Sequence, residues 1–418
     1  MSAPIFQRPD LALALSNRLL HPDALQLTSR DGLFLTGVRR IGKTTFIRRD
    51  LIPQLEKENA LVIYIDLWEN RGSISPAEAV LSKIRQFLAE SPRLSSFKVT
   101  FPGVSLSFEP KQVGIPSGVS LANVFSEIVA KYDVNIVLII DEIQEALKNE
   151  AGLNLLTALK AARDAVNLRP NNPKDTYLLI VGTGSHRSIL TAMAARSSQP
   201  FYGTDRQDFP LLGDEYLQWQ VDQMKDKSKV PSREALREGF SILGCRPKAF
   251  RQLLTHIQSY PGVEINQTFV SLCTNQARID ANEFLDPIRN CDLITRLLFT
   301  EIAKAGLGGC TNLFSSAFRA QLTKSAGLDR TISASSIQGK LGTMQKNDWI
   351  YPVSSWLFSV AATLPLSATR SVTLSEQFIR TFRILGAHLS EMWQQTVTLT
   401  MIRQPLSTVS LSDFRWTN

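Results

Sequence analysis

Two stretches of the sequence carry residue types at the spacings that phosphate chemistry requires. Gly37-Val38-Arg39-Arg40-Ile41-Gly42-Lys43-Thr44 spells G-x-x-x-x-G-K-T directly after the apolar run Leu33, Phe34 and Leu35. Glycines at Gly37 and Gly42 let the backbone between them, through Arg40 and Ile41, fold into a nest of inward N–H groups that suits phosphate oxygens. A helix beginning at Thr44 and Thr45 would add its positive N-terminal end at the same place. Lys43 then supplies a mobile charge for the β- and γ-phosphates, and the Thr44 hydroxyl is placed to hold Mg²⁺. The second stretch is residues 135–142, NIVLIIDE, an apolar strand that ends in Asp141 and Glu142. Carboxylates are costly inside a sheet, so both acids belong at its exposed C-terminal edge, where α/β sheets bind ligands. Asp141 there suits the metal, and Glu142 suits the general base that deprotonates an attacking water.

These groups need a sheet with helices around it, and the flanking sequence supplies one. Apolar, β-branched runs at 61–67, 135–142 and 176–181 read as buried parallel strands, the first covered on both faces, and 207–212 as a fifth strand. Between them, 5–20, 45–51, 75–88, 121–132, 153–166 and 187–194 read as helices, with Pro53 expected to kink or end the second. Strands alternating with helices mean an α/β doubly wound sheet. The run Gly182-Thr183-Gly184-Ser185-His186 reads as small polar residues beyond a strand. Thr183 or Ser185 would sense a γ-phosphate there, or the run is a glycine turn with a capping serine. Residues 97–108 alternate around Pro102-Gly103 as an inserted hairpin. From 214 the pattern turns helical, with pieces at 232–239 and 246–259 around Gly244-Cys245-Arg246-Pro247. Helices at 292–305, 315–326 and 333–348, then strands at 349–353 and 356–360, follow the order of a winged-helix domain. In the third helix Ile337, Leu341 and Met344 share the core stripe, leaving Ser335, Thr343 and Lys346 outward, with Lys324, Arg330 and Lys340 nearby in sequence. From residue 361 the chain is Ser/Thr-rich with scattered aromatics, and 377–393 reads as a helix.

Composition narrows the function classes. A chain of 418 residues with 44% apolar and 20% charged side chains has ample core and no disorder signature. Its net charge of +8 suits a phosphate-bearing partner without requiring one. Four cysteines lie far apart without C-x-x-C spacing, so a zinc or disulfide framework is not expected. Arg8 and Asp10 interrupt the N-terminus before any apolar run, and no run of about 18 apolar residues exists. The expectation is a cytoplasmic protein with no membrane segment.

With the phosphate loop, the Leu138-Ile139-Ile140-Asp141-Glu142 strand and the Gly182–Ser185 run together, the chain resembles archaeal-type ATPases of the STAND/AAA+ branch of P-loop NTPases. The double arginine Arg39-Arg40, Pro200-Phe201-Tyr202-Gly203 and the Gly244–Pro247 segment strengthen that likeness. The resemblance implies a RecA-like P-loop NTPase sheet, with an acid-terminated strand between the phosphate-loop strand and its neighbour. It further implies an α-helical lid and a C-terminal winged-helix domain. The expected division is an ATPase core over 1–213 with the 97–109 hairpin, a lid over 214–285, a winged helix over 286–368 and a segment of unknown fold at 369–418. It implies ATP with Mg²⁺, and ATP rather than GTP because no N-K-x-D motif occurs. Arg246 of the lid is expected to touch a phosphate or to start a solvated helix. Thr204 stands where relatives place an arginine, which leaves Arg196 and Arg206 as nearby candidates. Two function classes follow: a nucleotide-driven switch that changes oligomer state or protein partner, and an ATPase that docks double-stranded DNA through the winged helix. A non-hydrolysing scaffold is disfavoured by intact Glu142.

Overall fold

The computed structural model describes residues 4–23, 30, 32–69, 75–90, 121–169, 175–260, 264–305, 312–347, 349–354 and 357–360. The hairpin expected at 97–109 and the segment at 369–418 lie outside the described residues. Two compact units divide the chain, the first over Met1–Thr274 and the second beginning at Asn275.

The first unit opens with α1 (Pro9–Leu20), shorter than the expected 5–20, followed by β1 (Leu33–Thr36). α2 (Lys43–Phe46) starts directly on Gly42 and passes through a π-helical turn (Ile47–Leu51) into α3 (Ile52–Lys57). Pro53 therefore does not end this helix. It sits at the first positions of α3, where the missing N–H costs least, and the wider π turn before it absorbs the mismatch. β2 (Leu61–Asp66), α4 (Pro76–Glu90), α5 (Leu121–Tyr132) and β3 (Ile136–Asp141) come next, then a 3-10 turn (Ile143–Lys148) and α6 (Glu150–Asn167). β4 (Leu178–Gly184) runs through the glycines that the sequence suggests as a turn, and α7 (Arg187–Ala195) and β5 (Asp205–Asp208) complete the sheet.

All pairings in this sheet are parallel, and the order is β2-β3-β4-β1-β5. The expected adjacency of the acid-terminated strand and the phosphate-loop strand is thereby corrected: β4 lies between β3 and β1. A Cβ at Gly182 would come within 2.7 Å of the Phe34 ring, so the glycines of β4 serve close packing on β1 and not a turn. β2 is an edge strand. Leu61, Ile63 and Ile65 are buried on one face, while Val62 and Tyr64, half-buried, pack against the core on the other, so both faces are covered as expected, the second only in part. Alternation along the strands divides the core. Phe34, Leu138, Ile140 and Ile180 pack with α4, α5 and α6, while Leu33, Leu35, Ile139 and Val181 pack with α1, α2 and α3. Every strand of a parallel sheet points the same way, so Thr36, Asp66, Asp141 and Gly184 are carried to one edge.

α8 (Asp214–Gln223), α9 (Arg233–Ile242) and α10 (Pro247–Ile257) close around Tyr216, Phe240, Phe250 and Phe269, the last from the 25-residue α11 (Ile265–Arg289). The second unit holds α12 (Leu293–Lys304), α13 (Ser316–Ser325), α14 (Ala334–Lys346) and the antiparallel pair β6 (Ile350–Ser354) and β7 (Leu357–Val360). Ile337, Leu341 and Met344 are buried on α14, and Ser335, Thr343 and Lys346 are exposed. Lys340 is tied down: its ammonium donates to Asp292 at 2.7 Å and to the Thr295 hydroxyl at 3.2 Å. Burial works to raise the Asp292 carboxyl, but Lys340 and Thr295 outweigh it and hold it at about 2. Among the described residues no helix is long and apolar enough to cross a membrane.

Candidate functional site

The loop between β1 and α2 adopts the geometry that its glycines permit. Arg40 (φ 68°) and Gly42 (φ 97°) are both left-handed, which turns successive N–H groups to one side. Gly37 is buried, and a Cβ there would come within 2.8 Å of Ile41 Cδ1, so Ile41 anchors the loop to the core. Thr44 and Thr45 occupy the exposed first turn of α2. Lys43 is 6% exposed, and its ammonium donates to the carbonyls of Gly37 at 2.7 Å and Val38 at 2.9 Å. The charges of Glu142 and Asp141 also favour this ammonium, and a phosphate oxygen brought to the loop would pair with it directly.

Across the sheet edge stands Asp141, 1% exposed, which accepts from three hydroxyls. Thr44 donates to Oδ2 at 2.6 Å and Tyr64 to the same oxygen at 3.0 Å, while Thr183 donates to Oδ1 in a very short contact. Thr183 is fully buried, so its hydroxyl is committed to Asp141 and is not free to meet a phosphate as expected. Burial and the Asp141 charge push the Tyr64 phenol far up, which keeps it a donor. Thr44 and Asp141 bring together hard oxygen donors of the kind that Mg²⁺ prefers. Among the described residues no group of three or more His, Cys, Asp or Glu side chains forms a metal cage. Mg²⁺ would then be shared with phosphate oxygens, as this ion commonly is. The loop and its oxygens thus fit a magnesium nucleotide.

Glu142 follows at the strand's end in the left-handed region (φ 55°), a conformation that costs a non-glycine residue about 1 kcal/mol. Its Oε2 accepts from Ser185 Oγ at 3.0 Å and closely from Gln144 Nε2. Ser185 in turn accepts from Arg39 Nε at 3.1 Å. Burial first, then the Arg39 charge, lower the His186 pKa and favour its neutral ring. Arg246 stands apart from these groups in the chain, buried at the start of α10 with its Nε on the Leu243 carbonyl at 2.6 Å. Sequence reasoning missed Tyr64, Gln144 and the outward arm of Arg39. Only the double arginine gave a signal, because a tyrosine in an apolar strand and a glutamine after two acids look ordinary.

The Lys43 ammonium leads to a pH prediction. Desolvation pushes it from 10.5 down to about 8, against the opposing pull of Glu142 and Asp141. Phosphate binding favours the charged form and must raise that pKa again. Near pH 8 MgATP should therefore take up about half a proton, and affinity should fall about tenfold per pH unit above it. Calorimetry in two buffers of different ionisation enthalpy checks this, and binding without proton uptake at pH 8 would contradict it.

Comparison with known proteins agrees with this geometry. A family model described as AAA domain matches residues 27–190, which include the phosphate loop, both acids and β4. The Walker-type ATPase paby2304 of Pyrococcus abyssi is similar in structure, with TM-score 0.54 and 17% identity, covering 91% of this chain and 96% of that one. The Aeropyrum pernix ORC2 protein, solved in ADPNP–ADP complexes, is similar at TM-score 0.51 and 13% identity over 94% and 98% of the two chains. No curated protein matches the sequence. Over residues 27–190 the chain is thus similar to an AAA domain.

Proposed function

We propose that this AAA-type chain binds MgATP at the 37–45 loop, hydrolyses it with Glu142 as base, and uses the nucleotide state as a switch. The observation that carries this is the Thr44–Asp141 contact of 2.6 Å, which sets the metal-holding pair beside the Lys43 loop with Glu142 next in sequence. Lys43 also counts as catalytic, since its charge lies where the γ-phosphoryl group would gain negative character. Membership in the STAND branch rests on the sequence likeness around Arg39-Arg40. The helices over 214–285, with Arg246, are read as a lid, and a neighbouring copy would supply an arginine such as Arg196 or Arg206 to a nucleotide-dependent homo-oligomer.

The three helices and hairpin over 286–368 are read as a winged helix associated with double-stranded DNA. Outward Ser335, Thr343 and Lys346 on α14 would meet the groove, with Lys324 and Arg330 on flanking phosphates. One observation favours a protein partner instead: Lys340 is spent on Asp292, which removes one cation from the DNA-facing set. Titration of duplex DNA at several salt concentrations, with and without a non-hydrolysable ATP analogue, separates the readings. The DNA reading expects Lys346→Glu and Lys324→Glu each to weaken binding and flatten the salt slope by about one. No binding by the unaltered protein in either nucleotide state leaves this unit as a protein contact.

A further inference from the structure

Arg39 is an exposed cation on the phosphate loop whose contacts are all neutral. Its Nε donates to Ser185 Oγ at 3.1 Å, its Nη2 lies 3.5 Å from His186 Nε2, and its guanidinium carbon stands 4.8 Å from the centre of the Trp68 ring. No carboxylate among the described residues pairs with it. Two routes lead from those contacts to Glu142. Ser185 donates directly to Glu142 Oε2 at 3.0 Å, and His186 lies 3.0 Å from Gln144, which donates to the same oxygen. Gly184 makes this closure possible, because a side chain there would occupy the place of the Gln144 amide.

The ring is imperfectly satisfied. A neutral imidazole accepts at one nitrogen only, so His186 cannot take a proton from both Gln144 and Arg39. The Gln144 carbonyl oxygen is buried with no partner at all. Glu142 is meanwhile held in a left-handed backbone conformation with Oε2 occupied by three donors, Gln144 Nε2 and the Ser185 hydroxyl and main-chain N–H. Such an arrangement gives way readily when a stronger acceptor reaches Arg39, and a terminal phosphate is such an acceptor.

We infer that Arg39 is the residue that distinguishes a nucleoside triphosphate from a diphosphate and, by leaving Ser185 and His186, releases Glu142 to activate water. This rests on the nucleotide site proposed above. Arg39 contacts the γ-phosphate in the loaded state, and Ser185, His186 and Gln144 act as positioning residues through Glu142. Trp68 loses its stacked cation when Arg39 moves, which gives a signal independent of turnover.

The test measures affinity for ADP and for a non-hydrolysable ATP analogue by calorimetry, with tryptophan emission recorded in the same titrations. Arg39→Ala should weaken analogue binding about tenfold and ADP binding less than twofold. The analogue, and not ADP, should change emission, and this change should vanish in Trp68→Phe and in Arg39→Ala. Arg39→Lys keeps the charge without the planar fork and should recover part of the affinity but not the emission change. Equal weakening of both nucleotides by Arg39→Ala, or a Trp68 signal identical with ADP and analogue, overturns the inference alone. An unaltered protein that binds neither nucleotide overturns the nucleotide site and the inference together.

Discussion

Glu142→Gln should bind MgATP as the unaltered protein does and hydrolyse it about 10²- to 10⁴-fold more slowly, a barrier increase of about 3–5 kcal/mol. The substitution keeps the shape of the side chain and an oxygen that accepts from Ser185. What it removes is the capacity to take a proton from water. Asp141 and Thr44 stay in place, so the pair proposed to hold Mg²⁺ is untouched. Phosphate release alongside a binding titration measures both halves of the expectation. Turnover at the unaltered rate would assign water activation to another group.

Lys43→Ala should lower MgATP affinity by about a hundredfold or more, since a charge-assisted contact to each of two phosphates is lost together. The same substitution should not destabilise the nucleotide-free protein. Keeping the ammonium charged at neutral pH, when burial draws it down to about 8, costs about 3 kcal/mol. That cost disappears with the side chain and offsets the loss of its bonds to the Gly37 and Val38 carbonyls. Calorimetry and thermal unfolding on one preparation check both statements. An unchanged affinity would sink the assignment of the loop, and a lower unfolding temperature would mean that Lys43 serves the fold first.

What the sequence made legible is what local pattern controls. The runs at 33–36, 61–66 and 136–141 are short, apolar and β-branched, and they form the strands they suggest. The acids that end β3 stand at the C-terminal edge of the sheet, but Asp141 is buried there and not exposed, its charge satisfied by the Thr44, Tyr64 and Thr183 hydroxyls. Departures arise where tertiary packing overrides local propensity. Gly182 and Gly184 look like a turn, yet they extend β4 because the Phe34 ring and Gln144 need the space. Pro53 is expected to kink or end the helix, and it does not end it: a π turn just before the proline distorts the helix and carries it past. α11 runs on past Pro287, which locally reads as a stop, so the sequence does not mark its full length. The site follows the same division. Lys43, Thr44, Asp141 and Glu142 are visible as motifs, whereas Tyr64, Gln144 and the arm of Arg39 come into view only when β2, β3 and β4 lie side by side.

Release of inorganic phosphate from MgATP by the unaltered protein tests the central claim most directly, with Lys43→Ala as the blank. The account predicts repeated turnover that stops when Mg²⁺ is chelated and is absent from the Lys43→Ala protein. Phosphate release no faster than that of the Lys43→Ala protein, with Mg²⁺ and ATP in excess, would contradict it.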